Sequence, residues 1–492
     1  MSATLIISII LAYFLLLLVI SWFSGRGAGN DAFFLGERKS PWYVVAFGMI
    51  GASISGVTFI SVPGWVADSQ FSYMQMVLGY LLGYAVIANL LMPLYYRLQL
   101  TSIYTYLEER FGRFSYKTGA SFFLLSRIIG ASFRLFLVAS VLQFTVFDAW
   151  NVPFYVTVIV TITLIWLYTY RGGIKTIIWT DTLQTFCMLT AVVVSIILIT
   201  RSMDLSLGEM IARVTAGDDA RIWVFDGWQK ENHFFKHFLS GAFIAIVMTG
   251  LDQDMMQKNL SCKNIKEAKK NMYLMSISLV PVNLVFLFLG AVLIQFATFR
   301  GIAIPETTDN FFPMIATGGY LPQVVGIFFI VGLVAAAYSS ADSALTALTT
   351  SFTVDILEAR KWEDEKLTRT RRWVHLGISV VLGLVIMLFR AINDESVISA
   401  IFRVAGYTYG PLLGLYAFGL FTKLQVRDRL VPLLAILSPV LSFLLSKFSA
   451  VLFNGYEFGF ELLIVNGAVM FVALLLTSRT EAKPKSKVKS QK

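Results

Sequence analysis

Asp181 stands in the stretch GGIKTIIWTDTLQTF, six residues past Lys175 and among apolar side chains. At the helical rise it lies about 9 Å inside that boundary. A second acid, Asp342, falls in AAAYSSADSALTALTTSFTVD, three residues after Ser339 and directly before Ser343. Ser339 and Ser343 share one helix face, and Ala336 and Ser340 share the adjoining one. A helix entering near Pro322 carries Ser339 roughly 25 Å down its axis, to a depth like that of Asp181. Hard cations are held by carbonyls, hydroxyls and carboxylates, and this cluster offers all three. Small-residue packing with serine hydroxyls bonded back to the preceding turn accounts for Ala335–Ala337 but not for Asp342. An ionisable group inside a bilayer costs at least about 2.5–3.5 kcal/mol on insertion scales. Asp181 is therefore read as a cation ligand, with a buried structural partner as the alternative.

Arg127 and Arg134 are seven apart and lie close to one helical face. Either guanidinium could grip a carboxylate with two parallel hydrogen bonds. Either could instead pair with Asp181 or Asp252, and Arg127 is near enough to its helix end to snorkel. Arg403 in FRVAGYTYGPLLG is equally open. His233, His237 and His375 form no metal-ligand pattern, and Cys187 and Cys262 make no disulfide framework. With no nucleophile–base or metal constellation at hand, an enzyme is not expected.

The elements that position these residues follow from composition. Apolar residues make up 57% of the 492 and charged residues 14%, against about 45–50% and 25% in ordinary soluble domains. A spanning helix needs about 20 mostly apolar residues. Thirteen stretches qualify: 3–24, 42–62, 72–96, 118–145, 153–169, 176–200, 237–257, 272–297, 323–354, 373–389, 396–421, 430–446 and 459–478. The expected architecture is one all-α transmembrane domain over residues 1–478. Its core covers 42–421, in halves 42–200 and 237–421, and a Lys-rich tail follows at 479–492. The first stretch lacks a basic leader and a small-residue cleavage site, so it reads as a retained helix.

Charge sets the orientation. The alternate segments 25–41, 97–117, 170–175, 258–271, 355–372, 422–429 and the tail hold 29 of the 40 Lys and Arg, whereas the opposite loops and their margins hold eight. By the positive-inside bias the amino terminus is outside and the carboxyl terminus cytoplasmic, in a cell (inner) membrane. The net charge of +10 is thereby explained without nucleic acid. The stretch LSLGEMIARV within 201–236 has an interfacial, amphipathic pattern, and the linker 355–372 reads as a solvated hairpin face.

Two spans are interrupted by small residues. The second carries Gly48, Gly51, Ser53, Ser55, Gly56, Thr58 and Ser61 and is expected to end at Pro63; the seventh carries Gly241 and Gly250 before two acids. They are five spans apart, so each opens one half. Paired broken helices at matching places point to an inverted-repeat carrier with its site near the bilayer midplane.

The motifs GASISGVTFISVPG at 51–64, TSIYTYLEERFG at 101–112, YRGGIKTIIWTDTLQ at 170–184, GLDQDMMQKNLS at 250–261 and AAAYSSADSALTALTTSFTVDI at 335–356 together resemble the sodium:solute symporter family, from about Phe33 to Thr422. The resemblance implies a LeuT-type fold, with ten core helices in two inverted halves, one helix before and two after. It implies Na+ as the co-transported ion, held by the carbonyls of Gly51, Ile54 and Ala336 and the hydroxyls of Ser339 and Ser340. In some members a second sodium is held nearer the cytosol, at positions matching Asp181 and Ser343. Asp342 departs from that pattern and either strengthens a second cation site or converts it to a proton site. The motif SISGVTFISVP is similar to that of sialic acid and monocarboxylate carriers. By that likeness Ser53, Ser55 and Thr58 face the solute, joined by Tyr73 or Gln75 and by Arg127 or Arg134. The implied function is symport of sodium with a small organic solute such as a sugar acid, sialic acid or monocarboxylate, by alternating access and as a monomer in the lipid bilayer. A proton-coupled carrier and, more remotely, a transporter-like sensor are the alternatives.

Overall fold

The computed structural model describes residues 3–26, 29–170, 173–392 and 397–478. The described residues contain no strand, and their helices follow in chain order as α1 (Ala3–Ser24), α2 (Trp42–Ser69), α3 (Tyr73–Arg97), α4 (Arg113–Trp150) and α5 (Phe154–Thr169). Next come α6 (Ile174–Arg201), α7 (Phe234–Gly250), α8 (Gln253–Leu260), α9 (Ile265–Arg300) and α10 (Gln323–Ile356). The last are α11 (Asp364–Ala391), α12 (Val397–Thr408), α13 (Gly410–Phe421), α14 (Asp428–Lys447) and α15 (Leu462–Thr477). Among the described residues nine helices are long and apolar enough to cross a membrane, and the α7–α8 pair, bent by 65°, makes a tenth. The expected count of thirteen also needs the shorter α5, α12–α13 and α15, which length and composition alone do not supply. The tail 479–492 lies outside the described residues.

Burial separates the inside of the bundle from its rim. The most apolar stretches of α2 and α10 are 83% and 78% buried, those of α1 and α14 only 28% and 22%. The rim helices present Leu11, Leu15, Val19, Leu433, Leu437 and Leu441 outward, as a lipid-facing surface requires. At the centre, α2 lies between α6, α10 and α9. Two small residues allow the first of these contacts. A Cβ on Gly48 would meet the Asp181 Cβ at 3.0 Å, and one on Gly51 would overlap Thr185.

Three expectations are corrected. α2 does not end at Pro63 but continues to Ser69. The proline removes a single backbone donor, and buried side chains on both sides (Phe59, Ile60, Val62, Val66) hold the turn. The segment 355–372, expected as a solvated linker, is not fully solvated, because Asp355, still on α10, is buried against Ser351 and Tyr116, and Arg371, on α11, lies over the Phe33 ring. Lys258 is not a loop residue: it lies on α8 with its side chain 1% exposed. Without it the charge split is 28 to eight, so the bias is unchanged. The amphipathic stretch does form a helix, Leu207–Ala216, opened by a reciprocal capping box between Ser206 and Glu209.

Candidate functional site

The helical course of α2 is broken at Ser55, which takes φ 52° and ψ 171°. Such a break leaves neighbouring carbonyls without their usual helical donors. Thr185 and Thr182 reach the carbonyls of Gly48 and Val44. No side chain among the described residues donates to those of Gly51 or Ile54. At Gly56, just after the break, α2 meets α4 and α10: a Cβ there would lie 3.1 Å from Val138 Cγ2 and in ordinary contact, at 3.7 Å, with the Ala337 nitrogen. On α10, Ser339 donates its hydroxyl to Asp181 Oδ1 at 2.7 Å, so its lone pairs stay available. Ser340 is buried and its Oγ has no hydrogen-bond partner. Of the five residues assigned to the main sodium, Gly51 and Ile54 lie on α2 just before the break and Ala336, Ser339 and Ser340 on α10, two helices that pack against each other. The five are neutral oxygen donors of the kind that hold a small monovalent cation.

One turn away lies a second polar pocket. Asp181 accepts Ser339 on Oδ1 and, on Oδ2, the Lys258 ammonium at 2.7 Å. Asp342 accepts the Tyr168 hydroxyl on Oδ2 at 2.9 Å, while its Oδ1 has no partner. Ser343 donates back to the Ser339 carbonyl. The acids expected to face a second cation therefore share their pocket with a lysine. The readable signal was the demand a buried Asp181 makes for a counter-charge; counting Lys258 as a topogenic loop residue hid the answer.

Between α2, α3, α4, α7, α9 and α12 lies a cavity of about 100 Å³. Ser53, Ser55, Thr58, Tyr73, Arg127 and Arg134 line it, together with Tyr80, Tyr84, Thr249, Asn283 and Phe402, which sequence reasoning did not single out. Gln75 does not. Its amide is committed to the carbonyls of Ser72 and Asn232 and the amide of Val224, which pins the loop after α6. The two arginines differ. Arg127 pairs with Asp254 and, at 3.6 Å, with Asp252, and is too buried to snorkel. Arg134 has no hydrogen bond or ion pair among the described residues and is only half-buried, turned into the cavity.

The bend between α7 and α8 is fastened from all sides. Tyr95 and Tyr104 donate to the carbonyls of Gly250 and Leu251, both at 2.9 Å. Asp252 caps α8 through Oδ1 and takes the Tyr409 hydroxyl on Oδ2. Gln253 ties back to Thr101 and Ile103. The motif at 101–112 thereby acquires a role that sequence alone did not supply. At the same end of the bundle Lys117 reaches the carbonyls of Asp355 and Ile356, and Glu358 bridges Lys117 and Arg113 at 2.7 and 2.8 Å. Those two cations hold the Glu358 carboxyl below the ordinary glutamate range.

A helical membrane bundle with two broken helices and a polar, arginine-bearing cavity between them is the frame of a coupled solute carrier. The sequence profile of the sodium:solute symporter family matches residues 33–427, and the chain belongs to that family. It is similar to the mouse sodium-coupled monocarboxylate transporter 1, 27% identical over 416 residues that make up 81% of this chain and 65% of the relative. It spans, then, just under two-thirds of that relative's length. It is also similar to the sodium/sialic acid symporter NanT of Aliivibrio fischeri, 25% identical over 82% of this chain and 80% of that one. Its fold matches the substrate-bound, outward-open structure of a Na+-coupled sialic acid symporter with a TM-score of 0.81 at 20% identity, covering 96% of this chain and 97% of that one. The expected fold class, an all-helical transporter of the LeuT type, is the observed one.

Proposed function

We propose that the protein is a sodium-coupled symporter for a small organic anion, a sugar acid or monocarboxylate. Arg134 carries the substrate half of this reading. It is a guanidinium with no partner, in a cavity lined by the Ser53, Ser55 and Thr58 hydroxyls, and a bidentate carboxylate is the ligand it fits best. Arg127 keeps to its aspartates and shapes the wall. The relatives' names, sialic acid and monocarboxylates, describe solutes that share a carboxylate. Sodium is held by the carbonyls of Gly51, Ile54 and Ala336 and the hydroxyls of Ser339 and Ser340. Because those ligands come from both halves, the ion draws α2 onto α10 and steadies the break that also faces the solute. Its release would loosen that contact and let the halves rock apart on the other side. With the basic end in the cytosol, each charge moved inward down 100 mV adds about 2.3 kcal/mol of drive.

The test is uptake into proteoliposomes of a panel of radiolabelled sialic acid, short monocarboxylates, proline and glucose, under imposed sodium, potassium or proton gradients. Uptake of an acid driven by sodium alone is expected. In Ser340→Ala the sodium concentration for half-maximal uptake should rise about tenfold or more, with normal protein yield. Transport of a neutral solute, or proton-driven uptake indifferent to sodium, would overturn the reading.

A further inference from the structure

The pocket that the family resemblance assigns to a second sodium already contains a positive charge of the protein's own. Lys258 arrives on α8, after the bend of the second half's broken helix, and places its ammonium 2.7 Å from Asp181 Oδ2 on α6. The two side chains are each 1% exposed, so neither is relieved by water, and Asp342 lies within electrostatic reach of both. The other Asp181 oxygen is held by Ser339. A sodium added here would sit beside an ammonium in a dry interior, where like charges repel far more than in water. A lysine head group is a compact point charge, close to sodium in what it offers a carboxylate. Unlike sodium, it cannot leave.

We propose that Lys258 is a tethered cation that takes the place of the second ion, so that the protein binds and couples a single sodium. The tether runs from α8 to α6 and, through the Asp181–Ser339 hydrogen bond, to α10, one turn from the main ion. It therefore supplies permanently the cross-link between halves that a second sodium would supply reversibly. This inference rests on the main sodium site proposed above, and its test separates the two.

The experiment is equilibrium binding of 22Na+ to the purified full-length protein in detergent, without solute. Wild type should bind one ion per chain with a hyperbolic saturation curve, and Lys258→Arg should do the same. Lys258→Met leaves two buried carboxylates without their cation, and should bind two ions per chain with a Hill coefficient rising above one. If Lys258→Met elutes as aggregate, Lys258→Met/Asp342→Asn, with one carboxylate fewer to neutralise, should show the second ion instead. Two ions per wild-type chain, or a count unchanged from wild type in the folded lysine-free variant, would overturn the inference. A wild type that binds none while the lysine-free variant binds one would instead sink the main site and leave Lys258 in its role.

Discussion

The two broken helices use the same device to opposite ends. At the α7–α8 bend the exposed carbonyls of Gly250 and Leu251 are taken by tyrosine hydroxyls, and Asp252 caps the continuing helix. At the Ser55 break the Gly51 and Ile54 carbonyls receive no side-chain donor among the described residues, and on α10 the Ser340 hydroxyl has no partner. One break is a finished joint whose polar groups are satisfied by the protein. At the other the protein's side chains leave a few oxygens without a partner, and such oxygens are what a cation can take as ligands. An interrupted helix is thus no sign of a binding site until its orphaned groups have been traced.

Three measurements sharpen or break this contrast. The largest effect is expected at the finished joint. Asp252→Ala removes a helix cap, the acceptor for Tyr409 and a counter-charge of Arg127. Breaking a buried pair costs about 3–5 kcal/mol, so thermal unfolding in detergent should move down by many degrees. An unchanged Tm would mean that the joint is not structural. Next comes the pair of arginines. Arg134→Ala should weaken solute affinity tenfold to about a hundredfold, since a hydrogen bond to a charged group contributes about 1.5–3 kcal/mol, and should leave Tm alone. Arg127→Ala should do the reverse. Equal losses in both assays for both variants would erase the distinction between them.

The smallest effect belongs to Glu358, which bridges Lys117 and Arg113 at the basic end. Its pKa is depressed in the folded protein, so its contribution is fully present above the ordinary glutamate pKa and lost as pH falls through the depressed value. Wild type should melt slightly above Glu358→Gln near neutral pH. That gap should close as pH falls below the ordinary carboxylate range. A gap that widens on acidification would show the carboxyl to be stabilised in its protonated form.

Much of this was legible in the sequence because membranes simplify it. Apolar runs of sufficient length give spans, the Lys and Arg count gives a polarity, and small residues clustered in 42–62 and 237–257 mark both breaks. The exact fracture point was not legible. Glycine takes an unusual backbone angle at least cost, and Gly48, Gly51 and Gly56 are all at hand, yet the structure puts that angle at Ser55. A Cβ on Gly51 would overlap Thr185, and Cβ atoms on Gly48 and Gly56 would press on Asp181 and Val138, so these glycines answer to close packing. Lys258 was missed for a different reason: near a helix end, a lysine that faces cytosol and one that folds inward look alike in one dimension. Gln75 shows the converse. The family likeness offered it, with Tyr73, as a solute contact, but three backbone partners claim its amide.

The backbone of Ser55 has a mechanical consequence. Its φ of 52° with ψ of 171° falls where side chains are rarely tolerated, at a cost of order 1–3 kcal/mol. Nothing within the residue offsets that cost; the pressure of α6 and α10 on either side maintains it. Any excursion that lets α2 drift from those neighbours also lets Ser55 relax toward ordinary angles. Strain held in this way is released whenever α2 moves off its neighbours. It favours letting go, and a carrier that turns over repeatedly has as much need of that push as of the hold that precedes it.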